Sequence, residues 1–259
     1  MSDPVHVSVE GSVGIIELAR PDKFNCLSQD VHECISRARE TFEADRNIRS
    51  ILICAQGKHF CTGADLTEVK RKLYDAQMLD HFLALGMDAF RKLEQSRLPV
   101  IVAVQGLCLA GGLELMLSCD VCFAAESAQF GDQHAQFGLI PGWGGSQRLT
   151  RLIGLRRALD LMFSARWLKA DEAREAGLVN YIVPEEKLRQ AALDYCLKIA
   201  SRSRPGIAEM KRLAREGTDM GIDQQMRLER DAALRALPNE DVAEGLNAFE
   251  GRRAPAFKA

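Results

Sequence analysis

No stretch of this chain approaches the roughly 20 consecutive apolar residues that a membrane-spanning helix needs. Its first eleven residues alternate polar and apolar and include Asp3 and Glu10, so they lack the basic lead and apolar centre of a secretory signal. A cytoplasmic protein with no membrane partner is expected. Charge of one sign is also missing: 34 Lys and Arg against 36 Asp and Glu leave a net charge of −2, and no broad field favours nucleic acid. Nucleotide loops are absent, since neither G-x-G-x-x-G nor G-x-x-x-x-G-K-[ST] occurs, and no G-x-S-x-G elbow marks a serine nucleophile. Cysteine is not scarce, with residues at 26, 34, 54, 61, 108, 119, 122 and 196. The single C-x-x-C, Cys119 and Cys122, has no second pair to complete a zinc site. Several of the others lie inside apolar runs, the pattern of reduced core thiols rather than a disulfide framework. No metal and no cofactor is expected.

What the chain does have is length and core: 259 residues, 47% hydrophobic and 27% charged, enough for one large domain or a core with an appendage. Val5, Val7 and Val9 alternate with polar residues, a turn follows over residues 11–14, and Ile15 to Leu18 resumes, which predicts a β-hairpin. Ser28 is a natural N-cap for a helix to Ala44 with Val31, Ile35, Ala38 and Phe42 as its apolar stripe. Apolar strands are predicted at residues 50–55, 100–104, 121–125 and 129–131, with helical patterns over 66–97 and 114–119. From residue 146 nearly everything reads as helix, including 185–200, 205–216 and 222–236 with Pro238 before the last. The expected organisation is a core over residues 1–200 built from repeated strand-loop-helix units, then a helical oligomerisation region over 201–259.

Three loops carry the chemistry-bearing residues. In Gly111-Gly112-Leu113-Glu114 a strand ends in glycines at a helix start, where unpaired amides and the dipole favour a developing negative oxygen, and Glu114 stands within reach of the same ligand. In the segment Gly57 to Leu66, Gly63 and Ala64 free the backbone and Asp65 is a natural N-cap, so a second amide from here can face Gly111 across a cleft. The third, Phe130 to Ser146, sets Asp132 and His134, both able to move protons, beside a glycine-rich turn. Trp143 in that turn either floors a pocket or packs in the core.

These segments occur in an order and spacing that resembles the crotonase superfamily, the enoyl-CoA hydratase and isomerase proteins. The resemblance rests on Ala19-Arg20-Pro21, Gly63-Ala64-Asp65-Leu66, Gly111-Gly112-Leu113-Glu114-Leu115, Cys119-Asp120 and Ala128-Gln129-Phe130-Gly131. It continues through Gly138-Leu139-Ile140-Pro141-Gly142, Gly144-Gly145-Ser146-Gln147-Arg148-Leu149 and the ending from Phe249 to Phe257. It implies an α/β fold, a ββα superhelical spiral with a C-terminal helical trimerisation region, assembled as a homotrimer or homohexamer. It also implies a coenzyme A thioester substrate, the coenzyme A being part of the substrate and not a separate cofactor. The oxyanion hole would be the amides of Ala64 and Gly111. By the same resemblance Lys23, Phe24 and Asn25 line the nucleotide end, with Asp65, Leu66, Thr67, Gly142 and Trp143 as further substrate contacts. Phe257 and Lys258 reach a neighbouring subunit's ligand, and Met78, Leu79, Phe82, Leu83 and Leu85 lie in the segment that walls the acyl pocket.

The chain departs from the family at one place. Hydratases of this family use two glutamates, and ungapped counting from Glu114 to Pro141 puts the second at His134. An imidazole near neutrality both accepts and donates a proton, so the leading expectation is hydration of an enoyl-CoA. Glu114 activates water for the β-carbon, and His134 delivers the α-proton. Asp132 either orients His134 or acts itself. Isomerisation uses the same groups. Hydrolysis of an acyl-CoA or β-dicarbonyl compound by His134-activated water, and a non-catalytic acyl-CoA-binding protein, are the alternatives.

Overall fold

The structure, a computed structural model, describes residues 3–258; residues 1, 2 and 259, at the limits of the expected core and helical region, lie outside it. The elements run β1 (Val5–Glu10), β2 (Val13–Leu18), α1 (Gln29–Ala44), β3 (Ser50–Ala55), α2 (Leu66–Lys72), α3 (Ala76–Glu94), β4 (Val100–Val104), β5 (Leu107–Leu109) and α4 (Gly111–Leu117). There follow β6 (Val121–Ala125), β7 (Gln129–Gly131), α5 (Gly145–Ile153), α6 (Leu155–Ser164), β8 (Leu168–Lys169), α7 (Ala170–Glu175) and β9 (Tyr181–Val183). Four helices close the chain: α8 (Leu188–Ala200), α9 (Arg204–Gly217), α10 (Ile222–Ala236) and α11 (Glu240–Glu250).

The valine alternation makes the antiparallel β1-β2 hairpin, and every later strand of that sheet joins parallel, in the order β1-β2-β3-β4-β6-β9. Ile16, Ile53, Val102 and Cys122 stand abreast and join one core with Val31, Ile35 and Phe42 of α1 and Phe82, Phe90 and Leu93 of α3. The alternate residues Ile15, Leu52 and Ile101 pack with Leu188, Ala192, Leu193 and Cys196 of α8. A sheet covered on both faces needs continuous apolar strands, which is why residues 51–54 and 100–104 read as runs and not as alternation. A second, smaller sheet has the order β5-β7-β8, extended by an isolated bridge between Cys61 and Cys108. The recurrent unit is a strand of the large sheet, a turn, a strand of the small sheet and a helix, the ββα spiral that the resemblance implies. It brings residues 61–64, 109–114 and 131–134 to adjacent positions along the small sheet.

Several expectations need correction. The helical pattern over 66–97 is two helices, because Asp75 turns extended and its carboxylate caps Gln77 and Met78. The helix expected from Glu114 begins at Gly111. The helix expected from residue 185 opens as a 3-10 turn over Glu185–Lys187 before α8. The region after residue 146 is not wholly helical: β8 pairs with β7 and β9 with β6, each too short to show a period.

One core residue was not anticipated. His32 on α1 is fully buried, with both ring nitrogens unpartnered among the described residues. It is ringed by Phe82, Phe90 and Trp143 at centroid distances of 6.1, 5.3 and 4.6 Å. Burial alone holds its pKa down, from the usual 6.5 to about 3. A depressed histidine means that the unfolded chain takes up this proton first as pH falls, so the native state loses stability between pH 6.5 and about 3. The slope for one group is about 1.4 kcal/mol per pH unit within that window. His32→Leu removes the titrating group and two unsatisfied polar atoms, and urea midpoints at pH 7 and pH 5 are expected to differ less in the variant than in the wild type. Equal pH dependence in both would refute this.

Candidate functional site

The site begins where the chain leaves β5. Ala110 holds φ 48 and ψ −119, a region that L residues seldom occupy. Its amide is tied to the Gly131 carbonyl at 2.9 Å, and its own carbonyl accepts from the Glu114 amide at 3.0 Å. In a trans peptide the C=O and the following N–H point in opposite directions. With the Ala110 carbonyl committed to α4, the Gly111 amide therefore points out of the helix's amino end. The neighbouring loop is built by the same rule. The Gly63 carbonyl accepts from Leu27 N–H at 2.8 Å, so the Ala64 amide points to the side away from Leu27. Neither the Ala64 nor the Gly111 amide has a hydrogen-bond partner among the described residues.

The two loops touch. Cys61 N–H donates to the Leu107 carbonyl at 3.1 Å and Leu109 N–H to the Cys61 carbonyl at 3.0 Å. A Cβ on Gly63, whose φ is +114, would lie 3.1 Å from Ala110 Cβ and 3.4 Å from Gly111 N. Only glycine gives the chain that turn and that closeness at once.

Glu114 projects from the first turn of α4 and is 1% exposed. Its Oε1 accepts from the amides of Trp143 and Gly145, each at 2.8 Å. Its Oε2 faces His134 Nε2 at 3.7 Å. On the other side of the ring, His134 Nδ1 meets Asp132 Oδ1 at 2.8 Å, and that same oxygen accepts the His134 main-chain amide at 3.1 Å. Asp132 is buried, with its Oδ1 on the side of the ring away from Glu114. Burial raises the Glu114 pKa above 4.5 and the Asp132 charge adds to this, against the Gly145 and Trp143 amides and the nearby His134. Burial pulls the His134 pKa down, but the bond to Asp132 and the charges of Asp132 and Glu114 together lift it above 6.5. The result is a carboxylate and an imidazole, each with one atom held and the other facing a common gap. Such an arrangement is chemically able to take a proton on one flank and return one on the other.

The remaining expected contacts divide. Lys23 and Phe24 are exposed, in and just after a 3-10 turn, with the Phe24 ring stacked on His59 at 5.6 Å. Leu66 and Thr67 are exposed at the start of α2. The Asn25 side chain is taken up by the main chain: its Nδ2 donates to the Gln56 and His59 carbonyls at 2.9 and 2.8 Å, and its Oδ1 accepts from Arg20 N–H. Asp65 is likewise taken up by Arg20, at 2.8 Å, and by capping Thr67. Trp143 packs in the core, so tightly that a Cβ on Gly111 would lie 2.5 Å from its Cζ3 and one on Gly86 2.4 Å from its Nε1. Gly142 is half-buried and close to Leu83. Of the segment expected to wall an acyl pocket, Phe82 is buried, Leu79, Leu83 and Leu85 are half-buried, and Met78 is exposed. Phe257 lies near Gly245 and Lys258 pairs with Glu240 at 2.8 Å, both against α11 of their own chain.

Sequence reasoning missed the amides of Trp143 and Gly145 as the clamp on Glu114. Its signal was the Gly144-Gly145 pair: a Cβ at Gly145 would stand 2.8 Å from Glu114 Cγ.

Among the described residues no helix is long and apolar enough to cross a membrane, and no group of three or more His, Cys, Asp or Glu is placed to hold a metal. A profile of the enoyl-CoA hydratase/isomerase family matches residues 8–259. A protein of Rhizobium meliloti named as a probable enoyl-CoA hydratase is 35% identical over 252 residues, 97% of this chain and 96% of that one. The short-chain-enoyl-CoA hydratase of Clostridium acetobutylicum is 34% identical over 253 residues, 96% of this chain and 95% of that one. The crystal structure of an enoyl-CoA hydratase from Bacillus anthracis matches with a TM-score of 0.94 at 33% identity, covering 98% of this chain and 99% of that one. The chain therefore belongs to the enoyl-CoA hydratase/isomerase family, within the crotonase superfamily.

Proposed function

We propose that this protein adds water across the α,β double bond of an enoyl-CoA thioester. The observation that carries the reading is the approach of Glu114 Oε2 and His134 Nε2 to 3.7 Å, beside the two unpartnered amides. A thioester oxygen seated on the Ala64 and Gly111 amides becomes more negative as the enolate forms, and fixed donors stabilise that charge in the transition state more than in the ground state. Glu114, ionised and held through Oε1, accepts the proton of a water at Oε2 as the water's oxygen bonds to the β-carbon. His134, protonated and held through Nδ1, gives the Nε2 proton to the α-carbon. Proton count balances: one enters at Glu114 and one leaves from His134, and exchange with solvent restores both groups.

The test is loss of the conjugated enoyl-thioester absorbance of crotonyl-CoA, with the 3-hydroxyacyl-CoA product identified by mass. No loss at any pH between 6 and 9, in protein that binds the thioester, would end this reading. The Asp132–His134 pair favours a second one, in which a neutral His134 activates water against the carbonyl carbon; it is separated by the appearance of free coenzyme A thiol. The reaction needs no cofactor beyond the coenzyme A that the substrate carries. We further propose a cytosolic trimer or hexamer, supported by eight free cysteines and by exposed apolar side chains on the last helices, Met210, Ile222, Met226, Leu234 and Phe249. Light scattering reads the mass directly.

A further inference from the structure

One charged chain in the molecule has no part in the steps above, yet it ends on the loop that grips Glu114. The amides of Trp143 and Gly145 both reach Glu114 Oε1, and the two carbonyls between them, those of Trp143 and Gly144, are bound elsewhere. Both are held by Arg148: its main-chain amide donates to the Gly144 carbonyl at 3.0 Å, and its Nη1 to the Trp143 carbonyl at 2.6 Å. Arg148 sits five residues after Trp143, in α5, and folds back over Gly144. A Cβ there would lie 2.4 Å from Nη1, and Gly144 holds φ +95. The same guanidinium is anchored behind by Glu94, through Nε at 3.3 Å and Nη2 at 3.1 Å. Glu94 also accepts Arg215 Nη1 at 2.9 Å, and Arg215 Nη2 donates to Asp120 at 2.7 Å. Asp120 in turn holds Lys211 Nζ at 2.6 Å and the Val100 amide at 2.8 Å. Arg215 and Lys211 belong to α9, in the C-terminal helical region; Arg148 and Glu94 are largely enclosed, with side chains 12% and 11% exposed.

We propose that Arg148 is a positioning residue for Glu114, and that the chain Arg148–Glu94–Arg215 makes the setting of that carboxylate depend on the docking of α9. This rests on the reading of Glu114 as a proton-transfer group. The physical reason is peptide geometry. Pinning the Trp143 carbonyl fixes the plane of the peptide that lies between the two clamping amides, and a guanidinium fixed by a planar two-point contact to Glu94 is a rigid partner for that carbonyl. Without it the Trp143–Gly144 peptide is free to rotate, the Trp143 amide leaves Oε1, and Oε2 no longer stands opposite His134. The negative charge on Glu114 also loses a donor that favours it. Arg215 acts one step further back, by holding Glu94.

The experiment compares Arg148→Ala, Arg148→Lys, Arg215→Ala and Glu114→Gln with the wild type on crotonyl-CoA. For Arg148→Ala the expected result is a fall in kcat of about 100-fold, the scale of an ångström-sized misplacement, with KM little changed. The acid limb of the kcat profile moves to higher pH and the alkaline limb stays. Arg148→Lys restores part of kcat, and Arg215→Ala shifts the same limb in the same direction by less. A merely structural role lowers the melting temperature but leaves kcat per folded molecule and the acid limb where they were, and that result overturns the proposal. If Arg148→Ala does not fold, Arg148→Lys and Arg215→Ala decide by the same limb. Glu114→Gln keeps the two failures apart. If it retains hydration, the role given to Glu114 is wrong; if it is inactive while the arginine variants keep the wild-type profile, only the positioning proposal fails.

Discussion

Glu114→Gln is expected to remove about 10² to 10⁴ of kcat for crotonyl-CoA hydration, the range lost with a positioned general base. The glutamine oxygen still accepts from the Trp143 and Gly145 amides that hold Oε1 at 2.8 Å, so the loop keeps its shape and KM changes little. What disappears is the basic Oε2 facing His134. The same substitution is expected to raise thermal stability. The pKa of Glu114 lies above 4.5 chiefly because the side chain is buried, so the folded state binds the proton more tightly than the unfolded state does. A raised carboxyl contributes stability that is present below the unfolded value and lost as pH rises through the folded value. At neutral pH the ionised group is therefore a stability cost that a neutral amide avoids. Melting curves and steady-state rates on one preparation read both effects. Activity retained within about tenfold, or a lower melting temperature at pH 7, would contradict the assignment of Glu114 as a buried base.

What could be read from the sequence divides along the range of the interactions. Strands at residues 50–55, 100–104, 121–125 and 129–131 and the helix over 222–236 match the residues themselves, because an apolar run or stripe between turn residues is a local signal. The strands at 168–169 and 181–183 are set by partners far along the chain, Phe130 and Phe123 among them, and two or three residues carry no period. The site shows the same split. The glycines at 63 and 111 marked where two loops approach each other, since backbone closeness leaves a mark on residue type. Asn25 and Asp65 look the same in the sequence whether they meet a ligand or the main chain, and here they meet Gln56, His59 and Arg20. The clamp on Glu114 joins residues 114, 143 and 145, and Arg148 reaches it from α5. The Gly144-Gly145 pair marks a close approach there, but local composition does not say which residue, some 30 positions away, makes it.

His134→Ala is expected to cost a comparable factor, about 10² to 10⁴ in kcat, and the pH dependence of the wild type shows why. Hydration needs Glu114 ionised and His134 protonated. The rate is then limited on the acid side by Glu114, lifted above 4.5 mainly by burial, and on the alkaline side by His134. Burial lowers the His134 pKa, and the Asp132 bond with the Asp132 and Glu114 charges reverses that and raises it above 6.5. Asp132→Asn removes the larger of these supports while keeping a hydrogen-bond acceptor at Oδ1. The alkaline limb should therefore move to lower pH, with the acid limb nearly still. The stability sign runs the same way: a raised histidine stabilises the fold below the unfolded value and loses that contribution as pH climbs through the folded one. In His134→Ala the alkaline limb should vanish along with most of the rate, because the imidazole that faces Glu114 Oε2 and carries the donated proton is gone. Steady-state profiles for the three proteins separate the outcomes. An alkaline limb that survives in His134→Ala would assign it to another group, and one that stays fixed in Asp132→Asn would mean that Asp132 does not set the ring's proton affinity. The hydrolytic reading requires the opposite trend. A neutral imidazole acting as base gives a rate that rises with pH through the His134 pKa, so the direction of that one limb tells water addition from thioester cleavage.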